Sequence, residues 1–361
     1  MIKKLWLCSV LTSFFCIVSF AQNKQFTVTA YYAADTSQIN RYDARKLTHI
    51  IFSFCHLKGN RLSVDNKMDT LTINKLAQLK KQNPSLKVLL SLGGWGGCAT
   101  YSDVFSTADG RKEFAASVKE LNDYFRTDGI DLDWEYPAIE GHPGHKYQLQ
   151  DKQNFTELIV ELRKSLGTEN EISFAAGGFQ KFIDEAVEWQ KIIQHIDRVN
   201  VMTYDLVSGY ATITGHHTPL YSTVQQKEST GNAVQALLKA GVPANKLVIG
   251  AAFYGRMWEN VADTNNGLYQ PAKFKTSIAY KNFEKQLSKE KGFTYFWDEV
   301  AKAPYLYNSK QKLFVTYDDK RSMDLKTKYA VQNGLNGIMF WELSQDLSNN
   351  GLLDAIDKAR R

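Results

Sequence analysis

The sequence predicts an α/β fold, a (β/α)8 TIM barrel with a small α+β insertion between strand 7 and strand 8. Eight short β-rich runs alternate with amphipathic stretches of helix length, which is the pattern of such a barrel. Near-continuous apolar runs such as Val88–Leu90 suit strands that are covered on both faces. A long interval separates the seventh run from the eighth, and 361 residues leave room for both parts.

The periodicity assigns these elements in order along the chain. The β-rich runs are Phe26–Tyr32, Thr48–Phe54, Lys87–Gly93, Gly129–Trp134, Glu171–Ala176, Arg198–Tyr204, Leu247–Phe253 and Asn336–Trp341. The amphipathic stretches are Leu71–Gln82, Arg111–Phe125, Lys152–Leu166, Ala186–His195, Asn232–Ala240, Leu325–Gln332 and Leu352–Lys358. An open doubly wound sheet is the alternative, but it favours a Gly-rich loop after its first strand, where this chain has Tyr31–Ala34.

The long interval covers residues 257–316 and exceeds an ordinary βα loop. Its many aromatic and β-forming residues predict a small α+β unit with its own core. Because barrel active sites lie at the carboxyl ends of the strands, an insertion placed after strand 7 would form a wall beside that site.

Residues 1–21 predict a signal peptide. Lys3 and Lys4 give a positive end, Leu5–Phe20 is largely apolar, and Ser19–Ala21 is a small-x-small cleavage site. A membrane anchor is the alternative, but the apolar run is short for a span and is interrupted by polar residues. We therefore expect residues 22–361 to be exported through the cytoplasmic membrane, to be secreted or periplasmic, and to have no membrane part after cleavage.

The remaining composition excludes several classes of function. The net charge of +6 comes without a block of Lys or Arg, so nucleic acid is not an expected partner. Removal of the signal peptide would leave two cysteines, Cys55 and Cys98. Two cysteines do not make a disulfide framework, and whether these two form a disulfide with each other stays open. No Cys/His spacing suggests a metal site, since the adjacent His216 and His217 cannot share a helical face. Aromatics reach 12%, a surplus that suits stacking against flat ligands such as sugar rings.

One stretch carries the chemistry: Asp128–Pro137, which reads DGIDLDWEYP. Side chains alternate along a strand, so Asp131, Asp133 and Glu135 share one face while the apolar residues between them share the other. Three neighbouring carboxylates repel one another, a cost that persists at functional sites where ionisation is shared or shifted. A solvated edge strand is disfavoured because the apolar face needs cover. Asp128 points away from the other acids, and we interpret it as structural.

The stretch resembles the DGxDxDxE pattern of the family 18 glycoside hydrolases, the chitinases and their relatives. That resemblance implies a retaining mechanism in which the substrate's own acetamido oxygen acts as nucleophile, so no cofactor is implied. It also implies that Glu135 is the general acid and then the base. Asp133 would bind the acetamide N–H and stabilise the oxazolinium-like intermediate, and Asp131 would share a proton with Asp133.

Further motifs at predicted strand ends resemble the same family. The resemblance implies that the Tyr204 hydroxyl donates to the acetamide carbonyl and that Trp341 is the stacking floor for the reacting sugar. The remaining implied substrate-binding residues are Met202 and Asp205 of the M-x-Y-D pattern, Gly94 and Trp95 of the SxGG signature (Ser91–Trp95), Tyr254 and Arg256 of a Y-x-R pattern, and the strand-end aromatics Tyr31, Phe54 and Tyr136. Trp258 and Trp297 on the insertion are candidates for additional sugar contacts.

The resemblance leaves three functions open. The first is a monomeric chitinase acting on chitin or N-acetylglucosamine oligosaccharides, which the long insertion and the Tyr254/Arg256 pattern favour because they imply a walled linear groove. The second is an endo-β-N-acetylglucosaminidase acting on N-glycans. The third is a non-catalytic chitin-binding lectin, which the presence of Glu135, Asp133 and Tyr204 disfavours.

Overall fold

The computed structural model describes residues 26–361, so the predicted signal peptide lies outside the described residues. Its strands are β1 (Thr27–Tyr32), β2 (His49–Lys58), β3 (Arg61–Ser63), β4 (Lys87–Gly93), β5 (Gly129–Asp133), β6 (Glu171–Gly177), β7 (Arg198–Met202), β8 (Leu247–Ala252), β9 (Tyr254–Glu259), β10 (Lys273–Ala279), β11 (Thr294–Asp298), β12 (Ala303–Asn308), β13 (Leu313–Thr316) and β14 (Gly337–Trp341). Its α-helices are α1 (Thr36–Ile39), α2 (Lys67–Gln78), α3 (Tyr101–Phe105), α4 (Ala108–Phe125), α5 (Asp151–Leu166), α6 (Gln180–Glu185), α7 (Trp189–Ile192), α8 (Thr230–Lys239), α9 (Phe283–Leu287), α10 (Lys320–Gln332) and α11 (Leu352–Ala359).

Eight parallel strands close into a barrel in the order β1-β2-β4-β5-β6-β7-β8-β14, because β1 pairs with both β2 and β14. The predicted TIM barrel is therefore confirmed. Strand β2 runs longer than predicted and forms an antiparallel hairpin with β3, which the sequence did not reveal.

The barrel strands divide their side chains between two cores. Residues that point outward pack under the helices; Trp134, for example, contacts Tyr101, Phe105 and Phe155. Residues that point inward form a separate cluster that fills the barrel: Tyr31, Ile51, Leu89, Ala175, Met202, Tyr204, Val248, Ala252, Tyr254 and Met339. The apolar face of the acidic strand thus has the cover that its sequence required.

One predicted helix, Ala186–His195, is wrong. Within that range the structure has the four-residue helix α7, which is separated from the preceding α6 around Glu188, whose φ of −90° and ψ of 73° are not helical. The indole N–H of Trp189 donates to the carbonyl oxygen of Ile183 at 2.7 Å, which fixes the turn between the two helices.

The predicted insertion between β8 and β14 is confirmed as a five-stranded sheet in the order β10-β9-β13-β12-β11, with the short helix α9. One apolar cluster includes Met257, Val315 and Leu287 of α9, and a second is centred on the fully buried Trp258. The Trp258 indole N–H donates to the Ala211 carbonyl in the loop after β7, so the insertion packs directly against the barrel rim. Within residues 26–361, no helix is both long and apolar enough to cross a bilayer.

Candidate active site

The predicted acids lie on the inner side of β5, at the carboxyl end of the barrel. Parallel register places Asp131 between Ser91 of β4 and Ser173 of β6, and it places Asp133 beside Gly93. The strand ends at Asp133, so Glu135 lies just above the rim, where a substrate can reach it.

Asp131 is fully buried and accepts four hydrogen bonds. Its Oδ2 accepts from the hydroxyls of Tyr31 (2.9 Å) and Ser91 (3.1 Å), and its Oδ1 accepts from Ser173 Oγ (2.6 Å) and Asn200 Nδ2 (2.9 Å). Burial raises the pKa of Asp131, and the donors act in the opposite direction because they favour the anion. Asp131 is accordingly the member of the acidic row that is best prepared to carry the negative charge.

Asp133 has the contrasting environment. It is buried, and its Oδ1 has no hydrogen-bond partner among the described residues. Burial, followed by the charges of Glu135 and Asp131, holds the pKa of Asp133 well above its usual range. In the part of the chain that the structure describes, no hydrogen bond joins the Asp131 and Asp133 side chains, so their proton sharing stays a prediction. The charge of Asp131 still acts on Asp133 through space, but less than the charge of Glu135 does.

Glu135 is half-buried at the end of this row. Burial raises its pKa to about 7; a hydrogen bond from Tyr136 acts to lower it, and the charge of Asp205 acts to raise it. A carboxylic acid with this pKa is about half protonated at neutral pH, and the protonated form can donate to a leaving group.

Tyr204, Asp205 and Arg256 form the opposite side of the site. Burial and the nearby carboxylates hold the pKa of Tyr204 well above its usual range, so its hydroxyl remains a donor. The Arg256 guanidinium binds both carboxylate oxygens of Asp205, with Nε 2.7 Å from Oδ1, and His217 Nδ1 lies 3.4 Å from the same oxygen. Burial alone would raise the pKa of Asp205, but these hydrogen bonds lower it overall and keep Asp205 ionised.

The floor of the site is aromatic. The half-buried Trp341 ring lies 5.8 Å from the Tyr31 ring and is nearly parallel to the Phe54 ring at 5.5 Å. Gly94 has a φ of +88°, and a Cβ there would lie 2.5 Å from the Phe54 ring. Gly94 is therefore placed beneath Phe54, where only glycine fits. Met202 and Tyr254 belong to the buried cluster below this floor.

A second aromatic group lies beside Glu135, around the partly exposed Trp95. Its ring is 6.3 Å from Tyr136, 6.2 Å from Tyr210 and 5.6 Å from His142. The sequence predicted Trp95 and Tyr136 as site residues but not Tyr210 and His142, which lie in loops after β7 and β5. By contrast, Trp258 is wholly buried and presents no free face for a sugar, and one face of Trp297 is covered by the Arg321 guanidinium at 3.8 Å.

Several other residues of the site were missed. Ser173 and Asn200, which bind Asp131, are polar residues within otherwise apolar strands, and that interruption was a usable signal. Cys98 contacts the backbone on both sides of Trp134, and it forms no disulfide with Cys55; both thiols are free and buried.

The sequence offered no signal for the cis peptide bonds that precede Phe54, Tyr136 and Glu342. Over residues 26–361, no group of three or more His, Cys, Asp or Glu side chains is arranged to hold a metal ion.

Comparison with known proteins agrees with this geometry. The family model described as glycosyl hydrolases family 18 matches residues 27–346. Chitinase A1 of Niallia circulans is 37% identical over 298 residues, which cover 76% of this chain and 42% of that protein. Chitinase B of Serratia marcescens is 29% identical over 420 residues, covering 92% of this chain and 83% of that protein.

Solved structures show the same relationship. A family 18 N-acetylglucosaminidase from Paenibacillus barengoltzii is 35% identical, with a TM-score of 0.85, and the match covers 93% of this chain and 100% of that chain.

Proposed function

Since this chain belongs to glycosyl hydrolase family 18 and is a glycoside hydrolase related to chitinases, we propose that it is a secreted chitinase that hydrolyses β-1,4-N-acetylglucosamine linkages with retention of configuration. The observation that carries the proposal is the environment of Glu135. This carboxyl has its pKa raised to about 7 and follows the buried Asp131/Asp133 pair on the same strand face. Tyr204 lies within the electrostatic influence of all three acids.

The proposed first step breaks the glycosidic bond. Glu135 transfers its proton to the glycosidic oxygen, the C1–O bond breaks, and the carbonyl oxygen of the neighbouring acetamide forms a bond to C1. The Tyr204 hydroxyl donates to that carbonyl oxygen and holds it below C1. With the proton that the two acids share held by Asp131, Asp133 accepts from the acetamide N–H as a carboxylate and stabilises the positive charge of the oxazolinium ion.

The second step restores the enzyme. Glu135, now a carboxylate, takes a proton from a water molecule, the water oxygen bonds to C1, and the bond from C1 to the acetamide oxygen breaks. Because C1 is attacked from below and then from above, its configuration is retained. Trp341 and Phe54 supply the apolar face against which the reacting sugar stacks.

A second candidate is favoured by one comparison. The relative from Paenibacillus barengoltzii, which matches over its whole chain, is described as an N-acetylglucosaminidase. Release of single N-acetylglucosamine units by the same chemistry is therefore the alternative to cleavage within the chain. Trimming of N-glycans remains a third outcome for the experiment to distinguish.

Product analysis by mass spectrometry tests the proposal. The protein is incubated with N-acetylchitohexaose and, separately, with a high-mannose glycoprotein. Short N-acetylglucosamine oligomers from the first substrate alone support a chitinase, monosaccharide alone supports the N-acetylglucosaminidase, and glycans released from the second substrate support the glycoprotein-trimming function. Binding without any product would contradict enzymatic function and favour a lectin.

Export is proposed from the N-terminal pattern of Lys3, Lys4 and the apolar run that ends before Gln22. Expression of the full chain in a bacterial host, followed by N-terminal sequencing of the exported protein, tests it. A mature chain that begins at Gln22 is the expected result, and retention of the intact chain in the cytoplasm would contradict it.

A further inference from the structure

The thiol of Cys98 lies directly against the backbone of the acidic strand. The backbone N–H of Glu135 donates to Cys98 Sγ at 3.4 Å. The same sulfur lies 3.3 Å from the carbonyl oxygen of Asp133 and 3.4 Å from that of Gly94. The S–H group can therefore donate to either of these two oxygens. One side chain thus bonds to the peptide groups of both Asp133 and Glu135.

This contact lies where the regular barrel bonding stops. Strand β5 ends at Asp133, so Glu135 has left the ladder that holds the acids below it. The neighbouring backbone is equally confined: a Cβ on Gly93 would lie 2.0 Å from the Asp133 carbonyl oxygen, and one on Gly141 would lie 2.1 Å from the Glu135 carbonyl oxygen. The segment that carries the acid is therefore enclosed on both sides, and Cys98 supplies a polar contact within that enclosure.

The sulfur is held in the form that this contact needs. Cys98 is only 2% exposed, and burial raises the pKa of its thiol; the hydrogen bond from the Glu135 N–H acts to lower this pKa, and the charges of Asp133 and Glu135 act to raise it. The S–H group is retained, so Cys98 can donate to a carbonyl oxygen while its sulfur accepts from the Glu135 N–H.

We propose that Cys98 is a positioning residue for the reaction: its thiol bonds to the backbone at Asp133 and Glu135 and fixes where the Glu135 carboxyl lies relative to Asp133. This inference rests on the proposed function. Small displacements of a catalytic group cost large factors in rate, whereas the affinity for a long sugar chain depends on many other contacts. Loss of the thiol should therefore act on turnover rather than on binding.

The test compares Cys98→Ser with Cys98→Val. Serine keeps a donor and an acceptor but is smaller than cysteine, whereas valine keeps an apolar volume and has neither. We expect Cys98→Val to lower kcat on N-acetylchitohexaose about tenfold with KM unchanged within about twofold, and Cys98→Ser to recover most of the loss. The alkaline limb of the pH profile should also move to lower pH in Cys98→Val, since a less firmly held Glu135 is better solvated.

Cys55→Ser and Cys55→Val are the matched controls, because Cys55 is also a buried free thiol but packs in the core between barrel and helices. We expect both to keep the wild-type kcat and pH profile. Thermal unfolding identifies variants that do not fold, and if Cys98→Val is among them, Cys98→Ala takes its place in the comparison with Cys98→Ser.

If Cys98→Val keeps the wild-type kcat and Cys98→Ser does not, or if both variants lose kcat equally, Cys98 acts through packing and the inference is overturned. Wild-type kcat in both variants would overturn it as well. A wild-type protein that is inactive on N-acetylchitohexaose refutes the proposed function instead, so the two failures are distinguishable.

Discussion

The raised pKa of Glu135 predicts how the enzyme responds to alkaline conditions. The general acid must carry its proton before the glycosidic bond breaks, and burial raises the pKa of Glu135 to about 7. The protonated fraction, and with it kcat/KM for N-acetylchitohexaose, should fall as the pH rises through about 7. One pH unit above that midpoint, about a tenth of the activity should remain, with a further tenfold loss for each additional unit.

The variant Glu135→Gln assigns this limb of the profile to the residue. Glutamine has nearly the same shape as glutamate but no proton to transfer, so kcat/KM on the oligosaccharide should fall by about 10² to 10⁴. The alkaline limb should disappear in this variant. The variant should still bind N-acetylchitohexaose, because Tyr204, Trp341 and Asp205 are unchanged. The change in Trp fluorescence on adding the oligosaccharide measures this binding.

A substrate with an activated leaving group separates proton donation from the other steps. Cleavage of a dinitrophenyl glycoside of di-N-acetylchitobiose releases dinitrophenolate, a stable anion that needs little protonation as it leaves. Since kcat/KM reports events only up to the first irreversible bond cleavage, Glu135→Gln should lose much less on this substrate than on N-acetylchitohexaose. Equal losses on both substrates, or an alkaline limb that survives in Glu135→Gln, would refute the assignment of Glu135 as the acid.

Three further changes probe the surroundings of the acid. Asp133→Asn should lower kcat with little change in KM, since the role proposed for Asp133 is to stabilise the positive intermediate; a rise in KM alone would make it a binding residue only. Gly93→Ala should destabilise the protein by about 1–3 kcal/mol in urea unfolding, because its φ is +135° and its Cβ would meet Asp133, whereas Gly96→Ala, with open space around it, should be neutral. Lys326→Met should lower the free energy of unfolding by about 3–5 kcal/mol, because it leaves the wholly buried Asp318 carboxylate without its counter-ion. The double variant Lys326→Met/Asp318→Asn should recover part of this loss. If it recovers none, the loss does not come from the broken ion pair.

The sequence was sufficient for the barrel and for placing the acidic row at the carboxyl end of its strands. Side chains alternate along Gly129–Asp133, and the apolar ones must face the helices, so the acids face the inside of the barrel. Closure of the barrel then brings the carboxyl ends of the strands together. The positions of Glu135, Tyr204 and Trp341 follow from that rule once the strands are recognised.

The remaining site residues depend on loop paths and packing that local patterns do not encode. Tyr210 and His142 reach Trp95 from separate loops, and Cys98 reaches Glu135 only because the glycines before it allow a tight turn. The break between α6 and α7 is likewise a tertiary effect, since the indole of Trp189 bonds across it. Such contacts join residues whose spacing in the sequence has no fixed period.

The insertion is fastened to the barrel at both points where the chain passes between them. As the chain leaves the barrel, Arg256 of β9 binds Asp205 at the rim; as it returns after β13, Asp318 binds Lys326 and accepts from the backbone N–H of Ala252. Strand β11, at the far edge of the sheet, is in contrast partly exposed and distant in sequence from both fastenings. For an engineer, the two fastenings rather than that edge are the places to leave unchanged when the insertion is redesigned, because they hold both ends of the segment to the barrel.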